Sequence, residues 1–130
     1  MDSGATRRRL AFGAAVLAAS GVFALAAPAQ ARAVTAENCA GREVRTLPFT
    51  TGTVHVYRQG GYVCAVTLAK DPGVKRTMSV SVQARGNRPV VDKGRYTRRA
   101  GPVTVHAGHR CVWVRGAVAG GSVSSGWILC

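Results

Sequence analysis

MSVSVQA, residues 78 to 84, alternates apolar and polar side chains at every step. A pleated strand sends successive side chains to opposite faces, so Met78, Val80, Val82 and Ala84 share one face and Ser79, Ser81 and Gln83 the other. The same period of two recurs on both sides. Upstream, Thr53-Val54-His55-Val56-Tyr57 alternates, and after Gln59-Gly60-Gly61 the run Tyr62 to Leu68 puts Cys64, Val66 and Leu68 on one face. Gly60 and Gly61 supply the backbone freedom of a hairpin loop, so these two runs are expected to pair.

Asp71-Pro72-Gly73 reads as a turn. Downstream, a short run at 89–91 leads to an expected turn at Asp92-Lys93-Gly94, followed by strands over 102–107, 111–118 and 122–129. Val103, Val105 and Ala107 face one way and Thr104 and His106 the other. Gly108-His109 looks like the two-residue loop of a tight hairpin joining this strand to the next. No sustained helical period occurs after residue 33. Seven or eight short strands at this spacing predict an all-β domain, a small antiparallel β-sandwich or barrel, with the apolar faces inside and most arginines in water.

Residues 1–33 have the zones of a secretory signal peptide. Arg7, Arg8 and Arg9 form a basic head, Leu10 to Ala27 carries no charge, and small-residue cleavage options end at Ala31 or Ala33. The competing reading is an uncleaved anchor, since the apolar run approaches the length of a spanning helix. The Ala-x-Ala sequences favour cleavage, and Thr6-Arg7-Arg8-Arg9-Leu10 also resembles a twin-arginine export signal. The expectation is a single exported domain, residues 34–130, with no membrane span in its mature form.

Cys39, Cys64, Cys111 and Cys130 all fall in that domain. An even count in a short exported chain reads as a disulfide framework rather than a zinc site, which needs closely spaced cysteine pairs. Three connectivities are open. Loop-closure entropy favours Cys39 with Cys64 and Cys111 with Cys130.

The precursor carries a net charge of +13. Removing the signal leaves a strongly basic domain, whose field favours anionic partners. Arg85, Arg88, Lys93, Arg95, Arg98 and Arg99 form its densest cluster. Arginine's planar fork suits phosphate and carboxylate. The cluster is therefore the candidate anion-binding site, against the plainer reading of a solvated face. Sequence-specific nucleic-acid binding is not expected, because no stacking platform is evident beside the basic residues; Tyr96 is the one candidate, and Trp113 and Trp127 read as core.

Catalysis finds little support. The domain has four carboxylates, Glu37, Glu43, Asp71 and Asp92, and a glycosidase needs two of them held across a cleft. The cysteines are accounted for, and no Gly-x-Ser-x-Gly elbow occurs. Glu43, His106 and Arg99 form a conceivable acid-base set for phosphodiester cleavage, but no spacing brings them together. His106-x-x-His109 lacks a third metal ligand. No enzyme activity, metal or cofactor is expected.

Asp92-x-Gly94-x-Tyr96-Thr97, then Ala100-Gly101-Pro102-Val103-x-Val105-x-Ala107 and Cys111, resemble the spore-associated protein A family, small exported proteins of Streptomyces and related actinobacteria. The likeness extends through Gly52-Thr53-Val54, Cys64-Ala65-Val66-Thr67 and Cys130, covering nearly the whole mature chain. It implies a secreted, disulfide-bonded protein found with spores or the cell surface, and it brings no catalytic residues. The Trp-Gly-Gly string common in that family near the third cysteine is here Trp113-Val114-Arg115-Gly116. The expected function is non-enzymatic attachment to an anionic cell-wall or spore-surface polymer. The alternative is a secreted hydrolase inhibitor, with the stretch from Gly94 to Gly101 as a loop that presents a basic residue to a protein target, or a cationic antimicrobial protein.

Overall fold

In the computed structural model, residues 38–130 are described, and the expected signal peptide, Glu37 and the cleavage site lie outside the described residues. Eight strands follow one another without a helix: β1 (Arg42–Phe49), β2 (Gly52–Gln59), β3 (Tyr62–Ala69), β4 (Arg76–Ala84), β5 (Val90–Tyr96), β6 (Arg99–His106), β7 (Val112–Val118) and β8 (Gly121–Ile128). They form two four-stranded antiparallel sheets, ordered β1-β2-β3-β6 and β5-β4-β7-β8. The domain is a β-sandwich, and among its described residues no helix is long and apolar enough to cross a membrane.

The alternation in 78–84 decides the packing. Met78, Val80, Val82 and Ala84 are buried, and β7 opposes them with Val118, Gly116, Val114 and Val112 on the same face. Val54 and Val56 of β2, Val63 and Ala65 of β3, and Val103 of β6 close the core from the other sheet. Opposite Val54 and Thr67 the side chain at 116 is absent: a Cβ there would run into Val54 Cγ2 and Thr67 Oγ1. In β3 the inward face is Val63, Ala65 and Thr67; Cys64, Val66 and Leu68 do share a face, but it is the outer one.

Three elements differ from the sequence reading. β1 carried no clear alternation, because it is an edge strand with a register shift between Glu43 and Arg45 and only half-buried apolar residues. Asp92-Lys93-Gly94 is not a turn but the middle of β5, paired with Val80, Ser79 and Met78. The segment around Gly108-His109 is not a hairpin: β6 pairs with β3 and β7 with β4, so the chain crosses from one sheet to the other there. A glycine-containing connection looks the same in sequence whether it reverses a strand within a sheet or changes sheets.

The crossings are held by hydrogen bonds the sequence does not advertise. Asp92 Oδ1 accepts from the Tyr96 hydroxyl at 2.6 Å and Oδ2 accepts from the Gly101 amide at 2.7 Å, binding β5 to β6 where they change sheets. That bond to Asp92 also raises the Tyr96 phenol above its usual pKa, since ionisation would abolish the donor and set two anions together. Cys39–Cys64 and Cys111–Cys130 form, with no free cysteine among the described residues. The first lies on the outer face of β3; the second ties the C-terminus to the β6–β7 crossing. In the chain-entropy model loops of 25 and 19 residues each contribute about 3 kcal/mol. Such bonds fit an oxidising environment.

Thr67 is the exception in the core: its side chain is fully buried and Oγ1 has no hydrogen-bond partner among the described residues. A buried hydroxyl in that state costs about 1–3 kcal/mol. Replacing it by the isosteric Thr67→Val is expected to stabilise the domain by about 1 kcal/mol, read as a higher urea midpoint with unchanged slope.

Candidate functional site

The outer face of the β5-β4-β7-β8 sheet gathers the chemistry. Cross-strand pairing lays Lys93, Ser79, Ala117 and Ser122 in one row, and Val91, Ser81, Arg115 and Ser124 in the next. Rows on one face lie about 7 Å apart along the strands. Gln83, Trp113 and Trp127 form a third row, and Arg95 with Thr77 lies beyond Lys93. Arg85 follows Ala84 and places its guanidinium 5.0 Å from the Trp127 ring centre.

No carboxylate shares this face among the described residues. Asp92 points to the inner side of β5, Asp71 sits in the β3–β4 connection, and Glu43 lies on the other sheet. Lys93, Arg95 and Arg115 are exposed and have no carboxylate within ion-pair distance among the described residues. The charges on the face are therefore all cationic, over a floor of serine, threonine and glutamine that also carries Ala117 and the exposed Val91.

Trp113 and Trp127 do not fill the core. They are half-buried on this outer face, edge to face at 5.2 Å, with the Arg115 guanidinium 5.1 Å from the Trp113 ring centre. The four side chains thus run Arg85, Trp127, Trp113, Arg115 as a cation–aromatic series. Trp113 Nε1 donates to Ser124 Oγ at 2.7 Å, which fixes its ring.

Trp127 reaches this face through a bulge. Trp113 pairs with Trp127 and Arg115 with Ser124, so β8 has one residue more than β7 between the two pairs. In regular pairing from Ser124, Gly126 would face Trp113 and residue 127 would turn inward. The extra residue reverses that parity. Ser125 Oγ accepts from the Val114 amide at 2.9 Å and donates to the Gly126 carbonyl at 2.6 Å, and Gly126 adopts φ +74°, a left-handed conformation that glycine tolerates.

The predicted basic cluster is only partly brought together. Arg85, Lys93 and Arg95 join this face. Arg88 is exposed in the β4–β5 connection, and Arg98 lies in the β5–β6 crossing. Arg99 begins β6 and pairs with Leu68 on the outer face of the other sheet. The expected loop from Gly94 to Gly101 is strand at both ends, leaving Thr97 and Arg98 between β5 and β6. An open depression of about 480 Å³ beside Tyr96, Thr97, Arg98 and Arg99 is the flank of that crossing, lined by four consecutive residues. A second, of about 400 Å³, lies on the basic face itself among Ser79, Arg115, Ala117, Ser122 and Ser124. Sequence reading missed Arg115, although continuing the period of two through Val112, Val114 and Val118 would have set Trp113, Arg115 and Ala117 on the opposite side.

The conceivable acid-base set is not assembled. Glu43 is on β1 and His106 on β6, the two edges of one sheet. Glu43 Oε2 instead meets His55 Nδ1 and accepts from the Thr46 hydroxyl, both at 2.6 Å. His106 packs edge to face on Tyr62 at 4.9 Å, and His109 is exposed. Among the described residues no three His, Cys, Asp or Glu side chains cluster as metal ligands. No protein-family model, curated protein or solved structure matches the chain.

Two measurements bear on these arrangements. The Thr46 hydrogen bond, then His55, holds the Glu43 carboxyl below its ordinary 4.5. Because this pKa is depressed on folding, the stability it contributes is present above that ordinary value and is lost as pH falls through the lower folded one. Urea midpoints of the native protein are expected to drop over that acidic window more steeply than those of Glu43→Gln. Replacing Gly126 by valine, which disfavours the left-handed backbone the bulge requires, is expected to weaken the Trp113–Trp127 contact and its exciton signal at about 230 nm in circular dichroism.

Proposed function

We propose that this is an exported, non-enzymatic protein that attaches to an anionic polymer of the cell wall or spore surface through the outer face of β5-β4-β7-β8. The observation that carries the reading is the one-sided charge of that face: Arg85, Lys93, Arg95 and Arg115 project from it with no carboxylate among them. Arginine forks and a lysine on a rigid sheet meet a chain of phosphates or carboxylates without first surrendering an internal ion pair.

Two further features support it. The disulfides fit an oxidising compartment, where wall and spore polymers are met. The described carboxylates are engaged or isolated: Glu43 bonds to His55 and Thr46, Asp92 bonds to Tyr96 and Gly101, and Asp71 lies exposed in a connection. That is poor material for paired acid-base chemistry. The motif resemblance to spore-associated proteins points to the same compartment, and spore or surface association is part of the proposal.

Binding of the mature protein to washed spores, wall fragments and DNA across a salt series tests it. Retention on wall or spore material is expected to fall steadily with ionic strength. Replacing Lys93, Arg95 and Arg115 together by alanine is expected to weaken it by about tenfold or more, about 1.4 kcal/mol. Replacing Arg42 and Arg45, on the other sheet, is expected to leave it nearly intact. Salt-insensitive, saturable binding to a single protein would favour the inhibitor reading instead.

A further inference from the structure

Resting on that reading, we infer that the depression beside Arg115 is a subsite for one acidic sugar unit, so that the polymer recognised is an anionic glycan and not a polyanion of any backbone. Its volume of about 400 Å³ lies within the roughly 300–1,000 Å³ usual for small-molecule sites. The floor is low because position 117, on the outer face between Ser79 and Ser122, is alanine. Around it stand Ser79, Ser122 and Ser124, with Arg115 at the rim.

The lining separates a sugar from other anions. The Ser79 and Ser122 hydroxyls make no hydrogen bond among the described residues, so each has both donor and acceptor capacity for a ligand. Ser124 Oγ accepts from Trp113 Nε1 and keeps its own O–H to donate. Three hydroxyls around one guanidinium match a ligand that carries several hydroxyls and one acid group. A polyphosphate accepts from these hydroxyls but offers no donor to their oxygens, whereas each sugar hydroxyl does both.

Arg115 is held ready for the acid. Its guanidinium packs over the Trp113 ring, and that ring is pinned by Ser124, so less side-chain freedom is lost when an anion binds. The same packing argues against a nucleobase. One face of Trp113 is covered by Arg115 and one of Trp127 by Arg85, and the two rings meet edge to face, which leaves a poor platform for stacking successive bases.

Calorimetry at low salt with oligogalacturonate, polyglutamate of matched charge, a neutral cello-oligosaccharide and single-stranded DNA tests the inference. The native protein is expected to bind oligogalacturonate at least about tenfold more tightly than polyglutamate. Ala117→Leu, which fills the depression from its floor without touching the core, is expected to abolish that preference while leaving polyglutamate binding unchanged. Arg115→Ala is expected to abolish it too, with Arg115→Lys restoring it only in part because the fork is lost. Unfolding midpoints of all three variants verify that the sandwich is intact. Equal binding of oligogalacturonate and polyglutamate, unaffected by Ala117→Leu, overturns the subsite and leaves the basic face standing. Equal binding of the neutral oligosaccharide, or tighter binding of DNA, overturns the acidic-sugar assignment. Binding of none of these ligands overturns the polyanion reading and the subsite with it.

Discussion

A pleated strand has two faces, and whatever occupies one is denied to the other. In β4 the interior claims Met78, Val80, Val82 and Ala84, so Ser79, Ser81 and Gln83 are driven outward. β7 obeys the same rule across the ladder: Val112, Val114 and Val118 go in, and Trp113, Arg115 and Ala117 come out. The basic face is thus the other side of the core, produced by the same alternation that buries the valines. Its chemistry and the fold's stability are tied to one register, and a slip of one residue would exchange them.

That rule is broken at two places where the departure has consequences. Position 116 falls on the inner side but has no side chain, which lets the two sheets approach at Val54 and Thr67. The Ser125–Gly126 bulge inverts parity in β8, so that a residue destined for the interior by simple counting emerges beside Trp113. Bulges re-aim side chains in this way, and here the result is an aromatic pair held between two guanidiniums.

Charge is distributed with the same economy. Asp92 is the single acid in a very basic stretch, yet it does not neutralise its neighbours Lys93 and Arg95, because a strand places adjacent residues on opposite faces. Its two oxygens are committed inward to Tyr96 and Gly101, where they secure the β5–β6 crossing. The cations outside are left without a counter-charge on their own face. A structural hydrogen bond on one side of β5 therefore helps keep the other side electropositive.

Much of this was legible in the order of residues. The period of two in 53–57, 62–68 and 78–84 marked strands, the four cysteines implied two disulfides, and loop length favoured the pairing that forms. Charge counting found Arg85, Lys93 and Arg95. Local pattern could not say which strands become neighbours, since pairing is settled by how two sheets stack: it could not distinguish a hairpin at Gly108-His109 from a change of sheet, nor find the edge strand β1. Nor could it assemble a surface, because Arg115 meets Lys93 only across β4, and Trp127 meets Trp113 only after a bulge. The sequence by itself determined which side chains alternate and how many cysteines can pair, for these depend on neighbours along the chain. Only the tertiary structure decided which cations share a face, because that follows from strand order and register, which are set by contacts far apart in sequence.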